Sequence, residues 1–245
     1  MIVTKIALYL GGNGHAAVRL DAVRSALRPG IELIDVPYPG FEGRPASPSL
    51  DAFLDEISQR CREHPEAVAV VASGIGAMVA LGVRTRGVLV DTPLILQGPV
   101  LWGLERRAFP KLMQFPPLRA ALRWAFTVPS FRRRFARKQF LAPQSPETLA
   151  RFFDGYARCA AFGDFFRWFT PAYLRRLERE LTPEMRNNVR VWIGGGDGVV
   201  GRAEVAATER ALGVSWPIRE FPSWGHYPSM DVPREWARAL DDELA

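Results

Sequence analysis

The feature of this sequence that most constrains its fold is the run VAVVASGIGAMVAL at residues 68–81. Its first part predicts a buried β-strand and its last part a helix, and only a very tight turn can join the two. Such a turn needs small residues two positions before its centre and two or three positions after it, because strand and helix pass close together. Ala72, Gly76 and Ala77 meet this requirement when the central residue is Gly74. The run therefore predicts a strained strand–turn–helix unit.

The rest of the chain alternates segments typical of strands and of helices. This alternation predicts an α/β fold with a mostly parallel, doubly wound sheet. The expected strands are Lys5–Leu10, Glu32–Pro37, Ala67–Val71, Pro93–Gln97, Val189–Gly194 and Ile218–Phe221. The expected helices of this part are Ala17–Leu27, Ser49–Arg62, Gly76–Arg84 and Pro233–Leu244. Ser49 is a candidate N-cap of the helix that it begins.

Length and composition limit the class of protein. The chain has 245 residues, 48% of them hydrophobic, and is expected to form one domain with an inserted subdomain. Residues 2–10 are too short to span a bilayer and are interpreted as the first strand, so we expect a cytoplasmic protein without a stable membrane anchor. Cys61 and Cys159 lie far apart, which predicts neither a disulfide framework nor a metal site. No cofactor is expected, because the glycine-rich residues 11–14 lack both dinucleotide-binding spacing and the ending of a phosphate-binding loop.

Residues 101–188 interrupt the alternation and are interpreted as a helical insertion, with residues 1–100 and 189–245 as the core. Within the insertion we expect helices at Leu118–Phe126, Pro146–Phe162 and Pro171–Leu181, and no strand. Sixteen Lys or Arg and six Asp or Glu lie between residues 100 and 180, so this segment carries +10 and the remainder of the +6 chain carries −4. The segment also contains 17 of the 27 aromatic residues, most of which we expect to pack within the insertion.

Two residues behind the turn could form an acid–base pair. Asp197 lies in a glycine-rich segment after the strand at Val189–Gly194, and His226 lies in the loop after the next strand. A carboxylate that contacts an imidazole holds it in one tautomer and stabilises its protonated form. Each residue alone is better explained by hydrogen bonds within its own loop. Their order behind the turn at Gly74 favours a catalytic function.

In these features the sequence resembles the α/β-hydrolase superfamily over nearly its whole length. LGGNG at residues 10–14 is similar to the family's early glycine loop, DVPYPGFEGR at 35–44 to its Asp-x-Pro-Gly-x-Gly turn, and ASGIGA at 72–77 to its nucleophile elbow. The resemblance also implies that the insertion is a helical cap above the substrate pocket.

The resemblance assigns a role to five residues. It implies that Gly74 takes the position of the nucleophile, Asp197 that of the acid and His226 that of the base. It also implies that the backbone amides of Asn13 and Ile75 form an oxyanion hole, since one amide follows the nucleophile and the other comes from the early loop.

The sequence departs from the family pattern at two positions. Gly11 replaces the histidine usual in the early loop, and the nearby His15 is assigned either to the pocket mouth or to the surface. Gly74 has no side chain that could attack a carbonyl, whether the glycine is natural or replaces a serine by substitution. Ser73 is a second candidate nucleophile, but only with a change of register, because adjacent side chains at a strand end point to opposite faces.

Three functions are compatible with these residues. The first is hydrolysis of an ester, thioester or lactone of a small acyl substrate, by a serine at position 74 or by water that His226 activates. The second is a lyase, decarboxylase or cyclase reaction in which His226 carries protons and the oxyanion hole holds an enolate. The third is ligand binding by a pseudoenzyme, against which the presence of both Asp197 and His226 argues.

The charge of the insertion indicates an anionic substrate or partner. Arg132, Arg133 and Arg134 lie in its densest basic cluster and are candidates for binding an anionic substrate. An acyl group on an acyl carrier protein or on coenzyme A fits this charge, as does a free carboxylate. The alternative interpretation of the cluster is a solvated helix face. A nucleic acid partner is not expected, because the sequence has no recognisable nucleic-acid-binding module.

Overall fold

A six-stranded sheet forms the centre of the computed structural model, which describes residues 4–103 and 107–245. Its strands are β1 (Lys5–Leu10), β2 (Ile31–Asp35), β3 (Ala69–Ser73), β4 (Leu94–Gln97), β5 (Val189–Gly194) and β6 (Ile218–Phe221). All are parallel and lie in the order β2-β1-β3-β4-β5-β6, which confirms the predicted fold class. The order reverses between β1 and β3, and such a reversal opens a crevice for ligands at the carboxyl ends of the strands.

Helices cover both faces of the sheet. The helices outside the insertion are α1 (Val18–Arg24), α2 (Leu50–Arg62), α3 (Gly76–Arg84), α11 (Arg202–Leu212), α12 (Pro228–Asp231) and α13 (Pro233–Leu244). Apolar residues of α1 and α13 pack on one face, and those of α2 and α3 pack on the other. Side chains alternate along β3, so that Val71 faces the α1 and α13 side while Val70 and Ala72 face the opposite side.

Capping residues define the ends of two core helices, α2 and α11. The Ser49 cap is confirmed, since its Oγ accepts a hydrogen bond of 3.2 Å from the Ala52 amide. Helix α11 was not predicted from the sequence. At its start, a carboxylate oxygen of Glu204 accepts a hydrogen bond from the Gly201 amide. Gly213, with φ of +65°, ends α11 in the left-handed conformation that favours glycine. No helix of the described residues combines the length and the apolarity that crossing a bilayer requires.

Between β4 and β5, the elements of secondary structure in the described residues are all helices. Its helices are α4 (Ala108–Leu112), α5 (Pro116–Ala125), α6 (Pro129–Gln139), α7 (Pro146–Ala157), α8 (Phe162–Trp168), α9 (Pro171–Glu180) and α10 (Pro183–Arg186). The prediction of a single helix at Pro146–Phe162 is wrong, because the helical conformation is interrupted between α7 and α8. There the Ala160 amide donates a 2.6 Å hydrogen bond to the carbonyl of Gly40, a residue of the core.

Two further contacts join the insertion to the core. The Arg84 guanidinium, at the end of α3, donates to the carbonyl oxygens of Met185, Asn187 and Thr92 at 2.7–2.9 Å. Burial lowers the pKa of Arg84 to about 10. The Tyr173 hydroxyl of α9 donates to the Met78 carbonyl of α3 at 3.2 Å. These contacts hold the second half of the insertion against α3.

Candidate active site

Gly74 forms the turn between β3 and α3, as its sequence neighbours predict. Its φ of +58° lies in the left-handed region, where residues other than glycine are strained. Its amide donates to the Gln97 carbonyl and its carbonyl accepts from the Val100 amide, both at 3.0 Å. A Cβ at this position would have no heavy atom within 4 Å among the described residues. The elbow is therefore fixed by backbone hydrogen bonds and has room for a side chain.

Gly76 lies where the elbow packs most closely against β1. A Cβ at Gly76 would lie 2.3 Å from the Leu10 carbonyl oxygen and 2.7 Å from that of Gly11. Both are backbone atoms, which cannot move away cheaply. The small residue after the elbow is thus required by the close approach of α3 to the end of β1.

Asp197 and His226 are in contact. His226 Nδ1 lies 3.1 Å from each carboxylate oxygen of Asp197, whose side chain is 2% exposed. The amides of Val199 and Val200 donate to Asp197 Oδ1 at 2.7 and 3.2 Å. Burial alone would raise the pKa of Asp197, but the hydrogen bond from His226, its charge and the two amides lower it. An ionised Asp197 therefore fixes the His226 tautomer that carries its proton on Nδ1.

The Asp197–His226 pair lies beside the end of β4, to which the elbow is also bonded. A Cβ at Gly98 would lie 3.0 Å from Asp197 Oδ2. Gly98 follows Gln97, the residue whose carbonyl binds the Gly74 amide. The side chain of His226 is 19% exposed, and its Nε2 makes no hydrogen bond to the residues that the structure describes. Nε2 is thus available to exchange a proton with a ligand or a water molecule.

The two amides assigned to an oxyanion hole have no acceptor in the part of the chain that the structure describes. Neither the Ile75 nor the Asn13 amide donates to an acceptor within residues 4–103 and 107–245. A Cβ at Gly12 would lie 3.8 Å from the Ile75 nitrogen, so the early loop runs next to the elbow. The Asn13 side chain points elsewhere, since its Nδ2 donates to the Phe162 carbonyl at 3.2 Å. Two unpaired amides in adjacent loops could bind a developing oxyanion.

Ser73 belongs to the other face of the sheet. Its Oγ accepts a hydrogen bond of 3.2 Å from Gln97 Nε2, and Gln97 Oε1 accepts one of 2.6 Å from Trp236 Nε1. Trp236 lies in α13, on the side of the sheet away from α3. The structure therefore does not bring Ser73 to His226.

His15 is buried, so its assignment to the surface is wrong. Its Nε2 lies 2.9 and 3.0 Å from the two carboxylate oxygens of Asp35, at the end of β2. A Cβ at Gly11 would lie 2.2 Å from His15 Cγ. The His15 ring therefore fills the space next to Gly11, and the absence of a side chain at Gly11 is what permits it.

The three candidate arginines of α6 differ in their surroundings. The Arg132 guanidinium donates a hydrogen bond to the Phe126 carbonyl and lies 5.4 Å from the centre of the Phe153 ring. These contacts give Arg132 a role in packing within the insertion. Arg133 and Arg134 are exposed. No carboxylate of the described residues forms an ion pair with any of the three.

A cavity of substantial volume lies away from the elbow. It has about 270 Å³ and is lined by Ala16, Val18, Glu42, Arg151, Asp154, Gly155 and Arg158. Its charged side chains are already engaged, as Arg158 pairs with Asp154 and Arg151 with Asp21. We place the candidate site at Gly74 instead, because the acid–base pair and the unpaired amides are there. Within the described residues, no group of three or more His, Cys, Asp or Glu could hold a metal ion.

Comparison with known proteins shows the family of this chain. A family model described as "Alpha/beta hydrolase family" matches residues 9–239, almost the whole chain. The chain belongs to the alpha/beta hydrolase family. A comparison with curated protein sequences finds no match.

Solved structures of other alpha/beta hydrolases have the same fold. An alpha/beta hydrolase fold protein from Burkholderia ambifaria has a TM-score of 0.75 and 16% identity, with 98% of this chain and 90% of that chain covered. An esterase from Thermogutta terrifontis has a TM-score of 0.64 and 17% identity, covering 99% and 90%. The thioesterase domain from the curacin biosynthetic pathway has a TM-score of 0.66 and 14% identity, with 97% of this chain and 91% of that chain covered. At these identities the similarity shows the fold.

In this alpha/beta hydrolase, sequence reasoning missed the buried residue Arg19. Its guanidinium donates to the Gly14 carbonyl at 2.8 Å, and Nε has no partner among the described residues. The guanidinium carbon lies 4.7 Å from the ring centre of Phe152 and 5.3 Å from those of Tyr156 and Tyr227. Arg19 thus contacts the early loop, the insertion and the residue next to His226. No sequence signal could have found it, because arginine on a short helix indicates only a solvated face.

Proposed function

We propose that this alpha/beta hydrolase cleaves an ester, thioester or lactone of a small acyl substrate by direct attack of water. The observation that carries the proposal is the contact of His226 Nδ1 with both carboxylate oxygens of Asp197 at 3.1 Å. This contact leaves Nε2 as the basic nitrogen. The esterase and thioesterase structures with the same fold support this reaction class.

The reaction would proceed without a covalent intermediate. His226 Nε2 takes a proton from water as the water oxygen forms a bond to the carbonyl carbon. The carbonyl oxygen becomes an oxyanion, which the Ile75 and Asn13 amides stabilise. The intermediate then collapses, the bond to the leaving oxygen or sulfur breaks, and His226 returns its proton to the leaving group. The water and the acyl carbon would meet in the space at Gly74, where a Cβ would have no heavy atom within 4 Å among the described residues.

A first experiment, which tests whether position 74 faces His226, compares Gly74→Ser with Gly74→Ala. Both variants place a Cβ in the left-handed conformation, so both carry the same backbone strain. Only serine adds an oxygen that His226 could activate. We expect Gly74→Ser to hydrolyse a panel of short and long nitrophenyl esters and acyl thioesters about 10²–10⁴ times faster than Gly74→Ala. Mass spectrometry should detect an acyl group on the serine variant only.

Direct attack of water in the parent chain, which has Gly74, is tested by replacing the proposed base, His226. We expect His226→Gln to reduce ester or thioester hydrolysis to the rate in buffer alone, because no other group takes the proton of water. His64→Gln, which changes a histidine in a loop outside the site, is the matched control and should leave the rate unchanged. Equal rates for the parent and His226→Gln on every member of the panel would refute the direct attack of water.

The absence of a side chain at Gly74 favours a second candidate, a lyase, decarboxylase or cyclase reaction. In that reaction His226 would remove or deliver a proton at carbon, while the same two amides bind an enolate oxygen. We would then expect exchange of the protons next to the carbonyl of a bound acid or ketone with deuterium from D₂O. This exchange should depend on His226 and should occur without hydrolysis of the ester panel.

A further inference from the structure

Helix α5 presents most of its apolar side chains to solvent, while Leu122 is partly buried and packs against the core. Its exposed residues are Pro117, Leu118, Ala120, Ala121 and Trp124, together with Pro116 at its start and Arg123. Positions 117, 121 and 124 are neighbours on one side of a helix, with 118 and 120 flanking them. This order is the reverse of a surface helix in a globular protein, whose apolar side faces the core.

Both arginines of α5 donate hydrogen bonds to backbone carbonyl oxygens of the insertion. Arg119 donates to the Met113 and Gln114 carbonyl oxygens, each at 2.9 Å. Arg123 donates to the Ala157 carbonyl at 3.1–3.2 Å. Because these hydrogen bonds fix the rotation of α5 about its axis, its apolar side cannot simply turn inward.

The exposed apolar side chains continue through α4 and the turn before α5. We call Phe109, Leu112, Phe115, Leu118 and Trp124 the apolar patch. Their exposed fractions are 50%, 53%, 59%, 38% and 67%, and no other segment of similar length among the described residues exposes so many large apolar side chains. A cluster of this kind marks a surface that contacts another molecule or a membrane.

The charge around the apolar patch identifies its occupant as anionic. Residues 107–146 contain nine Lys or Arg and no Asp or Glu. Arg133, Arg134, Arg137 and Lys138 of the following helix α6 are exposed, and no carboxylate of the described residues pairs with them. A second copy of this chain would bring the same positive charge against itself. Exposed Trp and Phe beside basic residues are typical of segments that lie in the interface of an anionic bilayer.

We propose that α4, α5 and α6 dock this protein reversibly on the surface of an anionic lipid bilayer. The apolar patch enters the boundary between headgroups and acyl chains, and the cations of α6 bind the anionic headgroups. The proposal concerns a surface outside the Asp197–His226 site and does not depend on the reaction there. It adds reversible attachment to a protein whose described helices do not cross the membrane.

Flotation with lipid vesicles tests the apolar part of the proposal. We expect the full chain to float with vesicles of equimolar phosphatidylglycerol and phosphatidylcholine, and the double variant Phe115→Ser with Trp124→Ser to bind at least about tenfold more weakly. Val68→Ser changes an exposed apolar side chain outside the insertion and should bind like the parent. Because the changed residues are exposed, circular dichroism should show all three proteins folded. Unchanged binding of the double variant would overturn the proposal.

A charge-matched pair of variants tests the electrostatic part. Arg133→Gln, Arg134→Gln and Arg137→Gln together should weaken flotation at least about tenfold. The control removes the same charge from exposed positions outside the insertion, by Arg210→Gln, Arg234→Gln and Arg238→Gln, and should bind nearly like the parent. Binding of the parent should fall from low salt to about 0.5 M salt and should be weak on phosphatidylcholine alone.

Three further results would contradict the proposal. The first is equal flotation of the parent with neutral and anionic vesicles. The second is a stable dimer in solution that the Phe115→Ser and Trp124→Ser changes dissociate, which would make a second copy the occupant. The third is tight, salt-sensitive binding of an acidic acyl carrier protein to the parent together with no flotation, which would make a protein the partner.

Discussion

The Arg19 guanidinium donates a hydrogen bond of 2.8 Å to the carbonyl oxygen of Gly14. This bond links a buried cation of α1 to the loop whose Asn13 amide is proposed to bind an oxyanion. The same guanidinium lies over the ring of Tyr227, which is next to His226. One side chain therefore fixes two loops of the candidate site relative to each other.

We expect Arg19→Lys to lower the free energy of unfolding by about 1–3 kcal/mol, because lysine keeps the charge but cannot both bond to Gly14 and stack on three rings. Urea denaturation gives the measurement. Arg24→Lys, on the same helix but with a partly exposed side chain, is the control and should change the value by less than about 0.5 kcal/mol. Equal effects of the two changes would show that the buried contacts of Arg19 contribute nothing.

Gly76 and Gly87 should respond differently to alanine. A Cβ at Gly76 would collide with the Leu10 carbonyl. We therefore expect Gly76→Ala to lower the free energy of unfolding by more than about 3 kcal/mol, or to prevent folding. Gly87 has φ of +67°, and a Cβ there would have no heavy atom within 4 Å among the described residues. Gly87→Ala should therefore lose only about 1–2 kcal/mol through conformational strain. Similar losses in urea denaturation would argue against the close approach of α3 to β1.

Gly11 and His15 should be coupled in a double-mutant cycle. Gly11→Ala places a Cβ 2.2 Å from His15 Cγ, and His15→Ala removes the contact with Asp35. We expect each single change to lower the free energy of unfolding by about 1–3 kcal/mol. The double variant should lose at least about 0.5 kcal/mol less than the sum, because the new Cβ occupies space that the ring has left. Strict additivity would contradict this packing.

The stability that Asp197 contributes should depend on pH. Its pKa in the folded protein is lowered, so its stabilisation is complete above the unfolded value of about 3.9 and is lost as pH falls through the folded value. Asp197→Asn should therefore be less stable than the parent by about 1–3 kcal/mol at pH 7, and this difference should shrink below pH 4. Denaturation across this pH range is the measurement.

Asp154→Asn is the control for this pH dependence. Its side chain is 54% exposed and pairs only with Arg158 one turn away. We expect a difference from the parent of less than about 0.5 kcal/mol at every pH. A loss for Asp197→Asn that is constant from pH 7 to pH 3 would contradict the lowered pKa of Asp197.

The sequence was sufficient where the signal is local. The bounds of β1, β5 and β6, and those of α3 and α13, coincide with the predicted ones, because glycine or proline follows each of these strands and begins each of these helices. The contact of Asp197 with His226 was expected from their order in the chain and is present. The catalytic function of the pair, and of Gly74, stays a prediction.

Features that depend on distant residues could not be read from the sequence. The break between α7 and α8 follows from the bond of Ala160 to Gly40, and Gly40 has φ of +80° with Ala161 packed against it. Nothing within the segment itself marks this interruption. The burial of Arg19 likewise depends on rings from α7 and from the loop after β6.

The two halves of the insertion should differ in mobility. Helices α4, α5 and α6 have no buried residue, whereas the segment from α7 to Asn187 is bonded to Gly40, Met78 and Arg84 of the core. The first half of the insertion is therefore held less firmly than the second half. We expect backbone amides of α5 and α6 to exchange with D₂O at least about tenfold faster than those of α7 and α9.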